Sequence, residues 1–178
     1  MIHRGRTLAF RVDTIERADG SRHQREIVEH PGAVAIVAID DEDRVLLVRQ
    51  FRTAVGRTLL EIPAGTLDVD PTTGTIEDPG LAAPRELEEE TGQRAGQWQE
   101  LGAFWTAPGF ATELMHLYLA TDLHPADEGR LGPDEDEALV DVRVPLAEAI
   151  AAAEDGRIVD AKSIVGLLRV DRLRRPGR

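Results

Sequence analysis

The chain has no cysteine. That excludes a thiol nucleophile, a redox pair, a thiolate metal site and a disulfide. Serine is almost as scarce: Ser21 and Ser163 are the only two, and neither sits in a G-x-S-x-G elbow. Lysine is reduced to Lys162, so a Schiff-base enzyme would have to use that residue. The phosphate-cradling pattern G-x-x-x-x-G-K-[ST] is missing, and the five histidines form no H-E-x-x-H pair. Long apolar runs are missing too. The longest, Ala33 to Ile39, falls far short of the roughly 20 residues that a membrane span needs. The N-terminus, MIHRGRTLAFRVD, carries no apolar leader core. These absences predict a cytoplasmic protein with no membrane association.

Positive charge is also in short supply. Asp and Glu total 33 against 21 Lys and Arg, a formal net charge of -12. Nucleic-acid binding leaves a basic footprint, so no nucleic-acid partner is expected. An acidic protein that takes an anionic ligand needs a reason, and bound cations are the obvious one. What the chain has in abundance is carboxylate. Its 178 residues fit one main domain with room for a small appendage. At 42% hydrophobic and 30% charged, the composition is globular.

Residues 6–14 and 22–30 read as two strands around the turn Ala18-Asp19-Gly20-Ser21. A lone hairpin is marginal in water, so it must pack on something, and a second subunit is the expected cover. Residues 33–39 and 45–51 read as strands apolar on both faces, which belong in the middle of a layered α/β structure. Leu59 to Ile62 is a short strand running into the punctuation Pro63-Ala64-Gly65. A polar loop over 66–79 precedes a helix that ends at Thr91-Gly92, with Asp78 and Pro79 as cap and first residue. Pro84 is awkward there, since it removes a donor inside the helix. Strands at 97–105, 113–121 and 138–144 follow, then helices at 145–154 and 160–174. The last is read with an apolar stripe of Ile164, Leu167, Leu168 and Leu173. The histidines and the aromatics Phe51, Phe104, Trp105 and Tyr118 read as structural.

The densest chemical signal is Arg85-Glu86-Leu87-Glu88-Glu89-Glu90-Thr91-Gly92. On a helix, Glu86, Glu89 and Glu90 share one face within about 100° of arc. Clustered carboxylates repel, and hard divalent cations resolve the repulsion. Glu88 is expected to face solvent, and Arg85 to neutralise Glu89 one turn on. Taken alone, such a run is more often a solvated acidic face. Here an irregular turn with exposed carbonyls precedes the helix, which favours the metal reading.

This segment resembles the Nudix box, G-x5-E-x7-R-E-U-x-E-E-x-G-U with U a bulky apolar residue. Glu77 and Arg85 to Gly92 match in register. Gly65 matches the leading glycine, but eleven residues separate it from Glu77 instead of five, and Gln93 stands where an apolar residue belongs. The extra six residues lie within Asp68 to Ile76 and are expected to form a mobile lobe at the mouth of the site. Arg25 to His30, Arg49-Gln50-Phe51-Arg52, Glu61 to Gly65 and Ala107-Pro108-Gly109-Phe110 are similar to the ADP-ribose pyrophosphatase branch, which carries a proline about where Pro108 stands. The similarity covers residues 5–168.

The resemblance implies an α/β/α sandwich with a mixed sheet over residues 32–178. It adds a small N-terminal antiparallel β subdomain, residues 1–31, packed across a homodimer. It implies Mg²⁺- or Mn²⁺-dependent hydrolysis of ADP-ribose to AMP and ribose 5-phosphate. Metal positions match the Ala64 carbonyl, Glu86, Glu89 and Glu90. Arg52 matches a residue on the adenosine half of the substrate. Glu26 matches an adenine contact supplied by the partner subunit, whereas Thr7 stands where a relative has an aliphatic residue. Glu113 matches a residue on the ribose side, with Gly109 on the adjoining turn; Ala107 replaces a serine nearby. The catalytic base matches Glu137, then Glu135, with Glu89 and Glu90 as rivals on the helix. Three other readings stay open: a Nudix hydrolase of another nucleoside diphosphate derivative such as a sugar nucleotide or dinucleoside polyphosphate, a non-catalytic nucleotide sensor, and an interaction protein whose acidic helix is decoration.

Overall fold

The computed structural model describes residues 1–126 and 140–175. Its centre is strand β4 (Ala33–Ile39), all seven residues of which are buried. Period-two alternation sends Ala33, Ala35, Val37 and Ile39 to one face and Val34, Ile36 and Ala38 to the other. The first set packs under helices α2 (Leu146–Glu154) and α3 (Ala161–Arg174). The second set packs under α1 (Pro79–Thr91) through Ala82, Ala83 and Leu87. A strand apolar on both faces thus becomes the middle layer of an α/β/α sandwich, as its composition predicts.

Around β4 the other strands are β5 (Arg44–Arg52), β6 (Arg57–Glu61), β7 (Ala64–Thr66), β8 (Gln93–Trp105), β9 (Leu114–Pro125) and β10 (Val140–Pro145). The main path is β10-β5-β4-β9-β8, with β6 joined to β5 and β7 to β4. The β4–β9 pair is parallel and the remaining pairs are antiparallel, so the sheet is mixed. A separate antiparallel sheet holds β1 (His3–Arg4), β2 (Ala9–Glu16) and β3 (Arg22–Glu29). Ala9 is its one deeply buried apolar residue, while Ile2, Leu8 and Ile15 are exposed. It is stitched to the main body by Val28 N–H donating to the Phe110 carbonyl (2.7 Å) and Thr112 N–H donating to the Val28 carbonyl (3.0 Å). Among the described residues no helix is long and apolar enough to cross a membrane.

Helix α1 starts where its cap predicts. The Asp78 carboxylate accepts from Gly80 N–H at 2.7 Å, and Pro79 is the first helical residue. Gly92 closes it in the left-handed region at φ 65°. Pro84 is accommodated inside the helix, whose neighbours Ala82 and Ala83 are fully buried against the sheet. The stripe on α3 is corrected. Leu168 and Leu173 are exposed, and the face against the sheet is Ser163, Gly166, Leu167 and Val170.

Candidate functional site

Two clefts meet at β7. The first, about 590 Å³, has Glu86, Glu89 and Glu90 on one wall and Asp68 and Val69 at its rim, with Arg6 and Thr7 reaching it from the N-terminal segment. The second, about 450 Å³, is lined by Arg52, Glu61, Glu113, His30 and Lys162. Ala64, Gly65 and Thr66 line both. The strand is held there by its antiparallel pairing to β4, Val34 opposite Gly65, and by Ile36 N–H donating to the Pro63 carbonyl at 2.8 Å.

In the first cleft the carboxylates are organised by one cation. Arg85 donates to Glu77 through Nε (3.2 Å) and Nη2 (2.7 Å), and Nη1 meets Glu89 (2.7 Å) and Glu86 (2.9 Å). The hydrogen bonds to Glu77 raise the Arg85 pKa further above its ordinary value and hold the Glu77 carboxyl below the usual range, despite partial burial. Glu77 also accepts from Asp68 N–H at 3.2 Å. The six extra residues therefore do not take Glu77 out of register with Arg85. They close into a small hairpin: Val69 bridges Ile76, Asp70 N–H donates to Thr75 O at 3.0 Å, and the Asp70 carboxylate accepts from Thr72 and Thr73 N–H. Its base, Asp68 and Val69, stands at the cleft.

Glu90 accepts from Ala64 N–H at 3.0 Å, tying the helix to β7. Among the described residues no three carboxylate or imidazole groups are already gathered at ligating distance. Glu86 and Glu89 turn toward Arg85 instead. The cleft nonetheless gathers three helix carboxylates beside β7, and oxygen donors of that kind suit a hard divalent cation. Gly65 shows how close the packing is: a Cβ placed there would lie 1.8 Å from Glu86 Cδ.

Glu88 departs from expectation. It is buried, and Arg94 on β8 grips it through Nε (2.7 Å) and Nη2 (3.0 Å). Glu88→Gln is expected to lower stability by about 1 kcal/mol, since Arg94 is itself partly exposed, and to leave kcat within about threefold. A melting curve and an initial-rate assay check this; a large rate loss would place Glu88 in the chemistry.

In the second cleft Arg52 donates through Nε (2.9 Å) and Nη2 (2.7 Å) to both oxygens of Glu61. Glu113 accepts from Thr106 Oγ1 and lies 3.5 Å from His30 Nε2. Gly32 N–H donates to His30 Nδ1 at 3.0 Å, so the ring proton sits on Nε2, toward Glu113. Burial holds the His30 pKa below its ordinary value, against the pull of Glu113. His30 is thus a cleft residue, although the histidines read as structural in the sequence. Glu61 and Lys162 also line this cleft, beyond the site residues that the sequence predicts. A glutamate in Leu59-Leu60-Glu61-Ile62 was the available signal, because a charge in a buried strand demands a partner. Glu26 is exposed on β3 opposite Val12, and Gly109 is exposed in the 107–110 turn; neither lines a described cleft. Glu135 and Glu137 lie outside the described residues.

The NUDIX domain family matches residues 29–165. The chain is 43% identical to the ADP-ribose pyrophosphatase of Mycobacterium tuberculosis, over 95% of this chain and 79% of that protein. It is 41% identical to the ADP-ribose pyrophosphatase of Bacillus subtilis, over 91% and 84% of the two chains. It is also 41% identical to the methanol dehydrogenase activator of Bacillus methanolicus, over 93% and 86%. A solved structure described as an ADP compounds hydrolase superposes with a TM-score of 0.79 at 30% identity, covering 97% of this chain and 89% of that one.

Proposed function

The chain belongs to the Nudix family, and from that premise we propose that it hydrolyses ADP-ribose to AMP and ribose 5-phosphate with Mg²⁺ or Mn²⁺. One observation carries the placement: β7 is the common wall of an acidic cleft and a cleft holding Arg52 and Glu113. A pyrophosphate lying along Ala64 to Thr66 has carboxylates on one side and nucleoside- or sugar-binding groups on the other.

Glu86, Glu89, Glu90 and the Ala64 carbonyl are the groups that would hold the divalent cations. Bound there, a divalent cation would supply positive charge against the phosphate and would acidify water. Water adds its oxygen to one phosphorus, and the bridging oxygen leaves with the other phosphate. The proton goes to a carboxylate oxygen of Glu137, or of Glu89 or Glu90 in its place. Arg52 offers donors to the adenosine half, and Glu113 accepts from a hydroxyl on the ribose side, beside the Gly109 turn. Glu26 reaches adenine from the partner subunit of a homodimer. The exposed apolar residues in and beside the N-terminal sheet, Ile2, Leu8 and Ile15, support that second subunit. Light scattering at micromolar concentration should give a dimer; a monomer removes Glu26 from the site. The cytoplasmic location belongs to the same reading.

A substrate panel with product identification tests the chemistry. ADP-ribose should have the highest kcat/KM among ADP-ribose, NADH, a sugar nucleotide, Ap4A and deoxynucleoside triphosphates. Another substrate ahead by about tenfold, or 1.4 kcal/mol in transition-state binding, would overturn the branch reading and leave the family standing.

A further inference from the structure

We propose that Lys162 is a positioning residue for substrate binding, acting through Glu61 on Arg52. The inference rests on the reading of Arg52 as a substrate contact.

Glu61 is 1% exposed, at the end of β6, and it is the anchor of Arg52. A carboxylate so buried is costly unless its charge is matched and its lone pairs are filled. Arg52 occupies both oxygens through one edge of its guanidinium, and Lys162 Nζ donates to Oε2 from the opposite segment of the chain. Burial opposes ionisation of Glu61, and the two cations overcome it, holding its carboxyl below the usual range. Lys162, the chain's single lysine, is 8% exposed and also meets Asp160 Oδ2 at 3.1 Å. Two cations and two carboxylates therefore balance at the wall of the second cleft, which all four residues line.

The network is anchored at the start of α3. Asp160 caps that helix, accepting from Ser163 N–H (3.0 Å) and Ser163 Oγ (2.6 Å). Ser163 Oγ in turn accepts from Ile62 N–H at 2.8 Å, next to the Pro63-Ala64 turn. A fixed Glu61 leaves Arg52 one pose. Its Nε–Nη2 edge is committed, so its Nη1 edge is the one presented to a ligand. Without Lys162, Glu61 keeps one cation and Arg52 must neutralise it alone. The guanidinium is then drawn deeper onto the carboxylate and away from the ligand. The loss falls on binding in this cleft, not on the acidic cleft across β7.

The test is a double-mutant cycle on KM and kcat with ADP-ribose. Lys162→Met should raise KM by about tenfold or more and leave kcat within about threefold, because it displaces a binding group without touching the reacting phosphate. Lys162→Arg should restore most of the affinity. Arg52→Ala combined with Lys162→Met should have the KM of Arg52→Ala alone. If Lys162→Met does not fold, Glu61→Gln with Lys162→Met removes both charges together and should still raise KM, because Arg52 then loses the carboxylate that fixes its pose. Additive effects of the two substitutions, a fall in kcat at unchanged KM, a wild-type KM in the charge-free pair, or no rescue by arginine overturns the inference while the Arg52 reading stands. An unchanged KM in Arg52→Ala defeats that reading and the inference with it.

Discussion

Glu86→Gln and Glu90→Gln should each lower kcat by about 10²-fold or more, the scale of losing one electrostatic stabiliser at a reacting centre. Both changes remove a charge and keep the side-chain shape. Glu90 accepts from Ala64 N–H, and a glutamine carbonyl can accept the same bond, so β7 should stay in place. Glu86 is wedged against Gly65 and lies 2.9 Å from Arg85 Nη1, a space that a glutamine also fills. The loss is therefore of cation affinity, not of fold. The check is kcat at saturating substrate across a titration of Mg²⁺ and Mn²⁺, with melting temperatures alongside. The midpoint of the metal titration should rise in both variants. Rates within threefold of the parent at every metal concentration would return the acidic helix face to decoration.

The elements were legible in the sequence wherever local chemistry decides them. Strand β4 reads as buried on both faces because no polar residue interrupts Ala33–Ile39. Helix α1 reads from its cap, its Pro79 start and its Gly92 stop, all three realised in the fold. The carboxylate face reads from the 3.6-residue period. What stayed hidden depends on segments far apart in the chain. Glu88 falls on the far side of the helical wheel from Glu86, yet Arg94 on β8 covers that side and supplies a bidentate partner. On α3 the apolar count favours Leu168 and Leu173, but the contact is set by the smallest residue. A Cβ on Gly166 would stand 2.8 Å from Val37 Cγ2, so Gly166 must face the sheet and the leucines are turned out. The second cleft is assembled from positions 30, 52, 61, 113 and 160–162. No periodicity links these, and only folding brings Lys162 to Glu61.

Gly65→Ala should abolish most activity in a protein that still folds. The position does not need a left-handed backbone, as Gly65 is absent from the positive-φ glycines. Its demand is for space. An added Cβ would lie 1.8 Å from Glu86 Cδ, and 2.0 and 2.1 Å from its two carboxylate oxygens. Contacts that short cannot survive, and the movable partner is the end of the glutamate side chain, not the paired backbone of β7 and β4. Glu86 must swing off the wall of the first cleft, away from Gly65 and from Arg85. The expected stability loss is about 1–3 kcal/mol, as for other overpacked sites. The expected fall in kcat is about 10²-fold or more, matching removal of the carboxylate itself. Because both substitutions act through one group, Gly65→Ala combined with Glu86→Gln should be little worse in kcat than Glu86→Gln alone. Circular dichroism and a melting curve establish the fold, and the three rate measurements decide the case. A folded Gly65→Ala protein with the parent's kcat would show that the Glu86 carboxylate need not stand against β7, and would remove it from the metal-holding set.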